Sequence, residues 1–166
     1  MFILISAYKA NLAIQSVEHD AIARVAPAVA PSPAKAVSTP EGLHDQGYEI
    51  DNHYVGFGDF QAPIQVGFWR SVNHSQNGFF NESFIDECAH ATGKDPVQFR
   101  LDMLHNDQRQ SAVLKKVAQM SHWGSSGDPN VFQGVSLNHS FHSTVAEVAE
   151  IRKICLLYTS PSPRDS

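Results

Sequence analysis

An α+β fold is predicted by three features of this sequence. A long helical pattern ends at Gly93, a second helix opens at Asp95-Pro96, and strand-like stretches lie on either side, over residues 54–60 and from Val135 onward. The chain has 166 residues, enough to bury one ordinary core. Its 42% hydrophobic content and net charge of −5 describe a globular protein with no electrostatic bias toward nucleic acid or acidic membranes.

Taken in order, the N-terminus (residues 1–14) is an atypical start. The apolar run Phe2 to Ile5 is interrupted by Lys9 and Asn11, far short of the ~20 residues that span a bilayer, and no basic region precedes it as in a secretory signal. No membrane segment or cleavable leader is expected, and the compartment stays open. From Ala26 to Gly42 four prolines alternate with Ala, Val and Ser, a composition that predicts an extended surface loop. After the strand of residues 54–60, Phe68 and Trp69 lead into Arg70 and a polar run through Asn77. Drying unpaired polar groups costs a few kcal/mol each, so the run is either a solvated loop or a lining that meets a polar ligand.

Three helices follow. In the first, Phe79, Phe80, Phe84, Ile85, Cys88 and Ala89 recur at helical spacing and predict one buried stripe, ended near Gly93. The second has Asp95 as N-cap, Pro96 at its first position and Gln98 three residues after the cap, with Phe99, Leu101, Met103 and Leu104 as its apolar residues. The third runs from Gln110 to about His122, with Val113, Leu114, Val117 and Ala118 on one face, Trp123 packed at its end and Gly124 as the stop. Over residues 144–151, Ala and Glu favour a helix and Val145, Val148 and Ala149 fit helical spacing, against a strand.

Other constellations carry little chemistry. Cys88 reads as a small hydrophobe, and a disulfide to Cys155 is disfavoured. His139 and His142 form the tightest histidine pair but lack a third ligand at zinc-site spacing, so no metal site is expected. Three Asn-x-Ser sequons are at chance level, Ser75, His74 and Asp86 lack a nucleophile elbow, and Gly56-Phe57-Gly58 lacks the third glycine of a dinucleotide loop.

The order aromatic, Arg70, Ser71, Val72, Asn73, two residues, Gln76, aromatic-rich helix, Gly93-Lys94-Asp95-Pro96 and Phe99-Arg100 resembles the large molybdopterin-binding subunit of the xanthine dehydrogenase and aldehyde oxidase superfamily. FWRSVNHSQN (68–77) most resembles its isoquinoline 1-oxidoreductase branch, in the beta chain of that enzyme. Most of the superfamily has a glycine-rich turn with an aromatic two residues after the arginine, where this chain has Val72. GLHDQGYEIDN (42–52), Gln15-Ser16-Val17 and GVSLNHSFHSTVAEVAE (134–150) extend the resemblance, which makes residues 15–152 a partial molybdopterin-binding region of a much longer subunit. Under it, residues 144–151 are assigned to a strand. Residues 153–166 end in CLLYTSPSPRDS, which resembles translated adapter sequence or a natural disordered tail, and are set aside from the fold.

The resemblance implies a molybdenum hydroxylase that oxidises N-heterocycles or aldehydes with water as oxygen donor. Its cofactor is the cytosine dinucleotide form of molybdopterin, and two iron–sulfur clusters sit on a small partner subunit. It assigns Arg70 and Ser71 to the cofactor turn and Val72 to the substrate pocket, with Phe141 either a further pocket wall or, on its residue type, a core aromatic. The family's catalytic glutamate lies beyond this chain, so Glu82 is a surface or structural carboxylate and the chain alone is expected to be inactive. The contrasting reading is a non-enzymatic binding or structural domain that reuses helix-capping patterns.

Overall fold

The computed structural model describes residues 5–154; the set-aside tail from Cys155 onward lies outside the described residues. The fold is α+β, with helices and strands in the order β1 (Ala7–Ile14), α1 (Val17–Val25), β2 (Asn52–Asp59), α2 (His74–Thr92), α3 (Pro96–Leu101), α4 (Gln108–Met120), β3 (Val131–Ser140) and β4 (Ser143–Arg152). β1 and β2 pair in parallel, from Ala7 opposite Asn52 to Ile14 opposite Asp59, across a connection that includes α1. β3 and β4 form an antiparallel hairpin from Val131 opposite Arg152 to Ser140 opposite Ser143.

Two elements go beyond what the sequence predicts. β1 falls within the stretch expected to be an atypical start, although it alternates, with Tyr8, Leu12 and Ile14 on the more buried face and Lys9 and Asn11 outside. α1 begins at Ser16, whose Oγ accepts the His19 amide at 3.2 Å, and carries an Asp20–Arg24 ion pair at 2.6 Å one turn apart.

The three later helices stand where they were expected, with shifted ends. Asp95 caps α3 by accepting the Gln98 amide at 2.9 Å, and Asp107 caps α4 through Gln110 at 2.8 Å, so α4 starts two residues early. α3 stops at Leu101, and Met103 and Leu104 fill the core from the turn that follows it. Gly93, at φ 66°, takes the left-handed position that ends α2. Trp123 packs against the core with its indole N–H on Asp95 at 2.7 Å. Residues 144–151 are strand, because pairing with β3 and packing against α4 outweigh the helical propensity of Ala and Glu.

Two expectations are corrected and one open reading is resolved. The buried stripe of α2 is not aromatic: Asn77, Gly78, Asn81, Glu82, Ile85 and Ala89 face inward, while Phe79, Phe80 and Phe84 are 70%, 53% and 48% exposed. The polar run, which composition leaves open between a solvated loop and a lining, is a turn over residues 70–73 followed by α2 from His74, and it buries Asn73, His74 and Asn77, whose side chains bond to the segment they pack on. Residues 26–42 are not wholly a surface loop. Ala36, Ser38 and Thr39 are buried, because Asn73 Nδ2 donates to the Ser38 carbonyl at 2.7 Å and Asn77 Nδ2 to those of Thr39 and Glu41 at 3.1 and 2.8 Å.

The core is apolar at its centre, with Ile85, Phe99, Met103, Leu104, Leu114, Val135 and Leu137, and half-buried Cys88 packs against it as a small hydrophobe. An ion pair is threaded through it. Arg100, 0% exposed, donates from Nε to Glu82 Oε2 at 3.0 Å, from one terminal nitrogen to Asp86 at 2.7 Å, and from the other to the Glu82 carbonyl at 3.1 Å. Glu82 also accepts from the Tyr48 hydroxyl at 2.9 Å and the Leu137 amide at 2.8 Å, so one carboxylate ties the residue 48 segment, α2, α3 and β3 together.

Candidate functional site

The turn that joins β2 to α2 carries all three residues at the centre of the motif. Ser71 and Val72 sit at φ 65° and 46°, a left-handed conformation that costs a non-glycine residue about 1–3 kcal/mol and most of all a β-branched one. The turn is closed by the Val72 amide on the Trp69 carbonyl at 3.0 Å, the His74 amide on the Ser71 carbonyl at 2.9 Å, and the Ser75 hydroxyl on the Arg70 carbonyl at 2.9 Å. Among the described residues, the Arg70 and Ser71 amides donate to no neighbour. Both residues are exposed.

Two cavities flank this turn, and they divide the predicted site residues between them. Val72 lines one of about 400 Å³ together with Trp69, Gln15, Asn73 and Gln76. Ser71 lines the other, about 480 Å³, with Phe141, Ser136, Ser143, Asn138 and Glu147. Ser71 therefore shares a cavity with Phe141, and Val72 lines the other one. Arg70 is not among the residues bordering these two cavities.

Phe141 is not a core aromatic. It and His142 form the two-residue turn of the β3–β4 hairpin, at φ 48° and 62°, the left-handed pair of a type I′ turn, and Phe141 is 67% exposed. Its ring lies 5.9 Å from that of His74. His139, the other half of the histidine pair, bonds Thr144 Oγ1 at 3.1 Å, and among the described residues no group of three His, Cys, Asp or Glu could hold a metal ion.

Behind the turn lies a polar wall that the sequence did not disclose. His74, only 4% exposed, has Nε2 3.0 Å from Asp45 Oδ2 and Nδ1 3.7 Å from Glu41 Oε2. Burial opposes ionisation of Asp45, but the Gly42 amide and His74 outweigh it and hold the carboxyl below its ordinary value. Burial raises Glu41, with His74 acting only partly against it. His74 Nδ1, Glu41 Oε2 and Ser140 Oγ are buried without a hydrogen-bond partner among the described residues. Nothing local in the sequence links His74 to Asp45, 29 residues away.

Glu82 is fully accounted for by structural contacts, and the surface reading of it is corrected by its 6% exposure. Burial raises its carboxyl above the ordinary range despite Arg100, and Glu82, Tyr48 and Asp86 raise the guanidinium in spite of the same burial. It faces neither cavity beside the turn.

The chain is 34% identical over 76 residues to a subunit of the nicotinate dehydrogenase of Pseudomonas putida, a match covering 46% of this chain and 6% of that protein. It is 38% identical over 60 residues to the beta chain of isoquinoline 1-oxidoreductase from Brevundimonas diminuta, covering 36% and 8%. It is 32% identical over 83 residues to the membrane-bound aldehyde dehydrogenase [pyrroloquinoline-quinone] of Gluconacetobacter polyoxogenes, covering 42% and 11%. No family model matches the chain. The matched stretches span about a tenth or less of the length of these curated relatives.

Proposed function

We infer that the chain is a fragment of a large molybdopterin-binding subunit of the xanthine dehydrogenase and aldehyde oxidase superfamily, a reading supported by relatives with dehydrogenase and oxidoreductase names. From this premise we propose that it forms part of an enzyme that oxidises an N-heterocycle or an aldehyde with water as oxygen donor, and that residues 70–72 form the cofactor side of its site. The observation that carries the reading is the turn itself. A turn held at left-handed φ by Ser71 and Val72 leaves the Arg70 and Ser71 amides open, and Ser71 and Val72 each border a cavity, in the part of the sequence that bears the family's motif.

The residues present fit a cofactor whose metal is carried by its own pterin. Such a group needs hydrogen-bond partners and shape rather than protein ligands, and the turn supplies the Arg70 and Ser71 amides. When bound, molybdopterin cytosine dinucleotide would supply the two-electron oxidation and oxygen transfer. This chain's own part is to hold and orient. Preorganised backbone donors act without reorganisation during reaction, and the conformation at Ser71 and Val72 is fixed by three hydrogen bonds and by His74 behind it. Val72 borders the pocket that also holds Trp69, so it is placed to set substrate width, and Phe141 borders the opposite cavity. Electrons would leave through iron–sulfur clusters on a small partner subunit.

The third relative's name carries pyrroloquinoline quinone, so metal content is the measurement that decides the cofactor. The test is to express the intact subunit with its partner, measure molybdenum, and follow dye reduction with quinoline and with a one-ring aldehyde. Stoichiometric molybdenum with turnover of either is expected. A protein without molybdenum that still turns over would overturn the cofactor, and one that does neither, when folded and assembled, would return the chain to the binding-domain reading. The 166-residue chain alone is expected to do neither.

A further inference from the structure

The exposed phenyls of α2 lie beside an unfinished sheet. Phe80 and Phe84, with Leu43, floor a groove of about 420 Å³ whose wall is residues 8–13 of β1, and the Tyr8 ring meets that of Phe84 edge-on with centroids 6.0 Å apart. Among the described residues β1 is paired on its β2 side alone. The Phe60 amide donates to the Ile14 carbonyl at 3.1 Å in the parallel register that sets Ile14 opposite Asp59, so even-numbered residues of β1 point their amides and carbonyls toward β2. By the two-residue period, Lys9, Asn11 and Ala13 point theirs to the open edge, along the groove.

Two-stranded parallel sheets are not self-sufficient. Parallel strands occur almost only in sheets covered on both faces, and an open edge over an apolar floor is a template for another strand. We propose that an extended segment of the same polypeptide, from the part of the full-length protein outside these residues, pairs with the open edge of β1 and lays alternate apolar side chains on Phe80 and Phe84. The occupant follows from length and chemistry. About nine-tenths of each relative lies outside the match, and a floor of two phenyl rings and a leucine suits a permanent apolar contact better than a transient polar one. This inference rests on the reading of the chain as a piece of a longer subunit.

Hydrogen exchange resolved to single amides tests it. In the 166-residue chain, the amides of Lys9, Asn11 and Ala13 should exchange within about tenfold of an unstructured peptide while those of Ala10 and Leu12 are protected. In the intact subunit the three edge amides should slow by more than about 100-fold. Equally fast exchange in both proteins would overturn the proposal. So would protection in the short chain that rises with concentration alongside a dimer mass, since a second copy would then be the occupant. Phe84→Glu in the intact subunit should restore fast exchange at Asn11 and Ala13 while Leu12 stays protected, and unchanged protection there would also count against the groove. Molybdenum measured on the same intact protein separates the two readings: edge protection without molybdenum defeats the cofactor and leaves the docking, and molybdenum without protection does the reverse.

Discussion

Removing the Arg100 side chain should cost more than any other single truncation in this chain. Arg100 is 0% exposed and makes two hydrogen bonds to Glu82, one to Asp86 and one to the Pro96 carbonyl. In Arg100→Met the aliphatic volume is kept, so the loss measures the partners left behind, chiefly a carboxylate that is 6% exposed. Breaking one side of a buried pair costs about 3–5 kcal/mol, a large share of a small domain's whole stability. Tyr48→Phe deletes one neutral donor to the same carboxylate and should cost only about 1–2 kcal/mol. The informative variant is the double Glu82→Leu/Arg100→Met, which leaves no charge stranded and should be more stable than Arg100→Met alone by at least about 2 kcal/mol. Urea unfolding followed by far-ultraviolet circular dichroism reads these three and the single Glu82→Leu that completes the cycle. If Arg100→Met costs under about 1 kcal/mol, or if the double variant is the sum of its parts, Glu82 is not held by this network and its structural role fails.

Further outcomes follow from the wall behind the turn. Gly42→Ala should cost about 1–3 kcal/mol by urea unfolding, because φ is 85° and a Cβ there would lie 3.1 Å from the His74 Cα, a backbone atom that cannot rotate away; a neutral result would contradict the close approach. Val72→Gly should leave stability unchanged or raise it by about 1 kcal/mol, since it releases a β-branched residue at φ 46°, and a clear loss would show that packing outweighs strain there. Asp102 is held below its ordinary value by Lys94 at 2.7 Å, with Gln98 assisting, and Asp45 by Gly42 and His74 against burial. A depressed folded-state value means that the unfolded chain binds more protons in acid. Their contribution is therefore present above about pH 4 and is lost as pH falls through the folded-state values, and Asp102→Asn should flatten the acid limb of the stability profile. An unchanged acid limb would refute the pairing.

What the sequence disclosed was local. Asp95-Pro96 and Gly93 could be read directly, because a cap needs a particular side chain at a particular spacing and nothing distant. The inward face of α2 could not. Composition favoured burying Phe79, Phe80 and Phe84, but the helix is oriented by Glu82, which reaches Arg100 18 residues on and Leu137 55 residues on, and such pairings leave no periodic trace. For the same reason Asn73, His74 and Asn77 have the composition of a solvated loop, although the carbonyls of Ser38, Thr39 and Glu41 bond two of them and Asp45 the third. The motif around Arg70 was legible as a resemblance, yet its division between two cavities depends on the β3–β4 hairpin turn, where Phe141 stands on the Ser71 side alone. β1 carries a period-2 pattern, but Lys9 and Asn11 on its outer face broke the apolar run and masked it.

If the turn at residues 70–72 serves a molybdenum cofactor through its backbone, two substitutions at one position should separate side chain from main chain. In the intact subunit, Arg70→Ala should retain molybdenum and most activity, because the main chain is untouched. Arg70→Pro removes the amide donor and fixes φ, so molybdenum content and dye-reduction rate should both fall at least about tenfold while the subunit remains folded. Equal molybdenum content and equal rates in the two variants would contradict the account.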